Sequence, residues 1–330
     1  MRRRLTFEAA LRDLTAQRDE ARALALRCLP SALLERHGLE PPAAHAATLG
    51  PDGARAVEAV LERLEREPLA ELRGIALWAL AMLGDGSIVG AARRALANET
   101  APYVHESAVQ AMGIVGAVVP REDPVLQEVS AFVADALRDE RPWVRAQAAQ
   151  AAVTAKLPGA ESMLVGHLGA ERDDDVRDAC VCALAELDPP GAEACDRLVE
   201  ALDDEALPHG TRLAAARGLA AARRTEGARL LAAALRRPFE RDDALEALAV
   251  VAPRLPAETR DAVVTRARRI AAGFLTPVTT RVRAAYLLAR IAPEEGERLL
   301  ARFERRGGRV AREAVADARA ALARLAREEA

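Results

Sequence analysis

The chain's 330 residues are 51% hydrophobic, 29% charged and only 3% aromatic, which excludes a disordered chain and an aromatic-rich sheet and points to an all-α protein with a core of Ala, Leu and Val. The formal net charge is -3, but residues 157–205 carry 14 acids against 3 bases while residues 254–330 come to +7, so a uniformly basic nucleic-acid binder is not expected. No window approaches the roughly 18 apolar residues a membrane span requires, and MRRRLTFEAALRD has no apolar stretch behind its arginines, so the expectation is a soluble, cytoplasmic protein without membrane contact.

In chain order, residues 5–29 read as two short helices, LTFEAALRDL and RDEARALALRCL, the second ended by Pro30. Residues 37–53, HGLEPPAAHAATLGPDG, hold Pro41-Pro42, Gly50-Pro51 and Gly53 and read as an irregular linker. Residues 1–52 are therefore expected to be cap helices plus linker, and residues 53–330 a regular array. Within the array, ELRGIALWALAMLG from Glu71 is echoed by YVHESAVQAMGIVG, WVRAQAAQAAVTAK, DDDVRDACVCALAEL, GTRLAAARGLAAAR, ERDDALEALAVVAP and RVRAAYLLARIAPE. Aligning Leu72, Val104, Val144, Val176, Thr211, Glu240 and Val282 gives steps of 32, 40, 32, 35, 29 and 42 residues, the periods of stacked helical hairpins. Before each copy lies an amphipathic helix such as ARAVEAVLERLER or DPVLQEVSAFVADALRD, separated from it by Gly and Pro. The chain closes on a long charged helix, RVAREAVADARAALARLAREE, expected to cap the array.

The inner-helix pattern D-x-V-R-x-x-A-x-x-A-L resembles HEAT repeats, especially the short bacterial HEAT-like kind found in phycobilin lyases, over roughly residues 53 to 330. The resemblance implies a right-handed α-solenoid of about seven to eight antiparallel helix pairs. It also implies a stacked structural ladder formed by the arginine after the valine, here Arg73, Arg145, Arg177, Arg212, Arg241 and Arg283, with His105 interrupting it. Asp139, Asp173 and Asp174 are the expected acidic partners, and Arg177 is expected to bond Asp174 or Asp139 and carbonyls of adjacent repeats.

With each aligned residue as position 0, positions 0, 4, 7, 8 and 11 fall within about 100° of arc and face the core. Positions 2, 3, 6 and 10 lie opposite, on the side that is concave in HEAT-like arrays. They supply the candidate binding residues Trp78, Glu106, Gln110, Gln147, Gln150, Asp178, Arg217 and Glu246, with Trp78 the expected anchor. Catalysis finds little support. HEAT-repeat deoxyhypusine hydroxylases hold iron with several His-Glu pairs, and only His105-Glu106 occurs here. HEAT-like alkylpurine DNA glycosylases use a basic groove, whereas Glu106, Asp178 and Asp242 stand on the corresponding face and would repel phosphate.

The five histidines are scattered, and Cys180 and Cys182 point about 200° apart on one helix, so neither metal nor cofactor is expected. Reduced thiols, in a reducing compartment, are expected instead. The expected function is a non-catalytic, monomeric scaffold or adaptor that binds a protein or peptide on its concave face. Nucleic-acid binding through residues 254–330 is the alternative, ahead of a lyase-like or glycosylase-like enzyme.

Overall fold

A computed structural model describes residues 5–39 and 46–329; Pro41-Pro42 and His45 of the expected linker lie outside them. The described residues form 18 α-helices and two short 3-10 turns, with no strand among them. They divide into two compact units, Met1–Ala183 and Leu184–Ala330.

The first unit holds α1 (Phe7–Asp13), α2 (Asp19–Arg36), α3 (Gly50–Arg66), α4 (Ala70–Met82), α5 (Ser87–Asn98), α6 (Pro102–Val118), α7 (Val125–Ala136), α8 (Pro142–Thr154), α9 (Ala160–Leu168) and most of α10 (Asp174–Ala185). Even-numbered helices pack on one another, α2 on α4, α4 on α6 and α6 on α8, while α3, α5 and α7 lie beside them. Small residues permit this close approach. A Cβ on Gly74 would come within 2.5 Å of Tyr103 Cε1, and one on Gly116 within 2.4 Å of Ala155 Cβ. Local chemistry starts the helices: Pro102 and Pro142 open α6 and α8, where a missing N–H costs nothing. Asp173 Oδ1 accepts from the Val176 N–H to begin α10.

The second unit repeats the arrangement with α11 (Ala192–Asp203), α12 (His209–Ala221), α13 (Ala228–Ala234), α14 (Arg241–Val251), α15 (Ala257–Ala272), α16 (Val278–Ile291), α17 (Pro293–Arg306) and α18 (Arg309–Glu329). Here α12, α14 and α16 are the inner stack, and α18 packs on α16 at its end. All seven copies of the inner-helix pattern are therefore helices.

Two local expectations are corrected. Pro30 does not end α2 but lies buried inside it, because Leu26, Leu29, Leu33 and Leu34 on the same helix are buried. At roughly 1.5–3 kcal/mol each, they outweigh the roughly 3 kcal/mol that an internal proline costs. Gly50, Pro51 and Gly53 are not linker either. They form the first turn of α3, where proline is tolerated, and the bare Gly53 admits Ala46, whose carbonyl oxygen would lie 2.0 Å from a Cβ there. Through its contact with α4, α2 joins the inner stack as one more repeat.

Candidate functional site

The fourth residue of α2, α4, α6, α8, α10, α12 and α16 is Arg22, Arg73, His105, Arg145, Arg177, Arg212 and Arg281 respectively. Three of these arginines share one geometry. Arg73 sends Nη1 to the carbonyls of Glu67 (3.0 Å) and Pro68 (2.9 Å), and Nε and Nη2 to the Glu99 carboxylate (2.6 and 2.7 Å). Arg145 treats Asp139 O, Glu140 O and the Glu171 carboxylate in the same way, and Arg22 treats Ala16 O, Gln17 O and Glu67. Each guanidinium thus closes the turn before its own helix and clamps the carboxylate at the start of a later inner helix, a two-sided use that lysine could not reproduce.

The carboxylates complete the link by accepting backbone N–H groups. Glu67 takes Leu69 N, and Glu171 takes Arg172 N and Asp173 N. Arg145 and these amides hold the Glu171 carboxyl down at about 2 despite its burial. Burial alone would raise Glu67, but Arg22 and the Leu69 amide more than offset it and the carboxyl is lowered. At the interruption, His105 Nε2–H donates to Glu99 O at 2.8 Å, and Arg141 lies against its ring while gripping Asp139 with Nε and Nη2.

This geometry corrects several assignments. Asp139 pairs with Arg141, and Arg145 uses only the Asp139 carbonyl; the carboxylate it clamps is Glu171. Arg177 does approach the expected Asp174, at 3.7 Å, but with side chains 40% and 93% exposed the two form a surface ion pair rather than a buried ladder link. Arg212 and Arg241 donate Nε to carbonyls, Leu202 O and Leu235 O. In α16 the expected alignment slips by two residues: Thr280 is buried like Thr211, and Arg281 donates to Ala271 O. Arg283 instead turns to the inner-helix face and pairs with Asp242 (2.8 Å) and Glu246 (2.6 Å). Arg22 was missed because Ala21 replaces the valine; an arginine three residues after Asp19 at a helix start was the available signal.

The candidate binding residues fall in both units. In the first, Trp78 on α4, Gln110 on α6 and Gln150 on α8 occupy equivalent positions on successive packed helices, so they form a row. Trp78, Gln147 and Gln150 are half-buried, Glu106 and Gln110 are exposed, and Asp178 is half-buried on α10. In the second unit the two candidates are ion-paired: Arg217 meets Asp243 at 3.0 Å and Glu246 meets Arg283.

Burial pushes the Cys180 thiol up to about 12, and among the described residues no cysteine is in a disulfide. Among the described residues, no three His, Cys, Asp or Glu side chains are grouped to hold a metal, and no helix is long and apolar enough to cross a membrane.

No family model and no curated protein matches the sequence. Solved structures do match. The E. coli protein YibA aligns over 87% of this chain and 92% of its own at 17% identity, with a TM-score of 0.52. The karyopherin Kap121p aligns over 94% of this chain at 14% identity and a TM-score of 0.51, and this chain spans only 36% of it. The CpcE–CpcF complex of phycocyanin lyase from Nostoc aligns over 79% of this chain at 19% identity, with a TM-score of 0.43 that is too low to bear on chemistry. With paired helices throughout, an inner stack in each unit and the likeness to YibA and Kap121p, the chain has a HEAT-like helical-repeat fold.

Proposed function

We propose that the chain is a non-catalytic, monomeric cytoplasmic scaffold whose first unit binds a protein or peptide along the inner-helix face. The row Trp78, Gln110 and Gln150, flanked by Glu106 and Gln147, carries this reading. It offers one large aromatic anchor beside amide and carboxylate groups able to bond a peptide backbone, the mixture found at protein interfaces. Kap121p, which shares the fold, has been crystallised bound to Nup53p, to Pho4p and to the extreme C-terminus of Cdc14p. The ladder arginines serve the fold in this reading. Within the basic residues 254–330, Arg268, Arg283 and Arg319 are paired with Glu295, with Asp242 and Glu246, and with Glu297 and Glu304, which takes these three away from a phosphate backbone.

Affinity capture with wild type, Trp78→Ala and Gln110→Ala/Gln150→Ala is the test. A partner held by wild type should be retained at least about tenfold less by Trp78→Ala, with the thermal midpoint changed by only a few degrees. Equal retention by both variants rejects the reading.

A further inference from the structure

The largest exposed apolar side chains of the second unit are not on the inner-helix face. Phe239, Phe274 and Leu275 are 101%, 92% and 93% exposed, as open to water as side chains can be. They occupy equivalent turns in successive repeats: Phe239 lies between α13 and α14, and Phe274-Leu275 between α15 and α16. Since α13 packs on α15 and α14 on α16, both turns lie on one edge of the unit. The second turn is built rather than loose. Thr276 N–H donates to Gly273 O and Gly273 N–H to Ile270 O, and the Thr276 hydroxyl occupies the space a Cβ on Gly273 would need. Three large apolar groups held in water on one edge mark a contact surface.

Beside them lies an arginine cluster without counter-charge. Arg266, half-buried on α15, has Arg236, Arg241 and Arg269 as its electrostatic neighbours. Its Nε is buried with no hydrogen-bond partner among the described residues. Burial first, and then these three like charges, push its pKa below the ordinary arginine value. Arg241 has its Nε on Leu235 O, and of the carboxylates on either side of it in sequence, Glu240 is held by Arg237 and His209 and Asp242 by Arg283. Among the described residues, Arg236, Arg266 and Arg269 meet no carboxylate. A partly buried guanidinium facing three like charges is unfavourable unless an anion arrives from outside.

We propose that this edge of the second unit docks an acidic segment of a partner protein, with Arg236, Arg266 and Arg269 taking its carboxylates and Phe239, Phe274 and Leu275 its apolar side chains. The local character of the charge selects a peptide over a nucleic acid. Arg237, Arg268 and Arg283 are neutralised within the chain, which interrupts the basic track a phosphate backbone would follow. This is a second surface, and it stands whether or not the inner-helix face of the first unit binds anything.

The probe is a short fluorescein-labelled peptide alternating glutamate with leucine and phenylalanine, followed by fluorescence anisotropy on the full chain. Wild type should bind it. Arg236→Gln/Arg269→Gln and Phe274→Ser/Leu275→Ser should each weaken binding at least about tenfold, whereas Trp78→Ala should leave it unchanged. Arg266→Gln should weaken binding while leaving the thermal midpoint unchanged or raising it, since it relieves like-charge repulsion; a merely structural arginine would lower it. Should Arg266→Gln misfold, the exposed double variants still decide. Absence of wild-type binding, or binding indifferent to both double variants, overturns the proposal. So does tighter binding of oligothymidylate lost in the same variants, which would assign the edge to nucleic acid. Self-association on sedimentation abolished by these substitutions would overturn it in favour of a second copy of the chain.

Discussion

Arg145 and Glu171 form an enclosed link between repeats in the first unit, with side-chain exposures of 15% and 6%. Arg145→Ala would strip Glu171 of its bidentate partner and leave the carbonyls of Asp139 and Glu140 without their donor. A loss of about 3 kcal/mol is expected in urea unfolding, the lower end for breaking a buried pair. Arg177→Ala, at the same place in the neighbouring repeat, should change stability by less than about 0.5 kcal/mol because its ion pair lies in water. Equal losses in the two variants would contradict this geometry. The acid limb follows from the same residue. Glu171 is held at about 2 in the folded chain, against 4.5 ordinarily, so its stabilisation is fully present above 4.5 and is lost as pH falls from 4.5 toward 2. The contribution is on the order of 3 kcal/mol, and Glu171→Gln should flatten the fall in stability across that window in urea melts.

At the scale of the element, helix contacts in this Ala-rich core depend on how closely two backbones approach. Gly296 lies at the contact of α17 with α16, where a Cβ would stand 2.1 Å from Ala289 N and 2.3 Å from its Cα, both backbone atoms that cannot move aside. Gly296→Ala should cost about 1–3 kcal/mol or more by forcing the two helices apart. Gly166, within α9, has open space to 4 Å around the place an added Cβ would take, so Gly166→Ala should stabilise by about 0.5–1 kcal/mol through helix propensity alone. Thermal melts of the two variants should therefore move in opposite directions. In sequence both are glycines inside helical stretches. Which one is crowded depends on the partner helix, and that is not a local property.

For the molecule as a whole, each unit depends on an inner stack shielded by outer helices. Leu72, Ile75, Ala76, Leu77, Ala79 and Leu80 of α4 are all buried, as are Val104, Ala108, Val109, Ala111, Met112 and Val115 of α6. Hydrogen exchange should accordingly be slowest in α4 and α6 and fastest in α1, of seven residues, and in the largely exposed C-terminal turns of α18. Comparable rates in α1 and α6 would contradict a stack stabilised by nearest-neighbour contacts.

The all-α class, the seven inner helices and the core faces of those outside α16 were legible in the sequence, because apolar spacing at three and four residues acts within one helix. Pro102 and Pro142, which open α6 and α8, were legible for the same local reason, whereas Pro30 and Pro51 were not. It took the stacking of helices to place α2 in the inner stack despite Pro30, to put Arg281 rather than Arg283 at the ladder position of α16, and to make Glu99 and Glu171 the ladder carboxylates. In Thr280-Arg281-Val282-Arg283 two alignments satisfy the same local pattern and both Thr280 and Val282 are buried; the bond from Arg281 to the Ala271 carbonyl and the pairing of Arg283 with Asp242 and Glu246 select one. Arg73 and Arg145 find their carboxylates 26 residues ahead, across a repeat boundary. Such pairings follow from how one repeat stacks on the next, and a spacing rule confined to one helix carries no term for that contact.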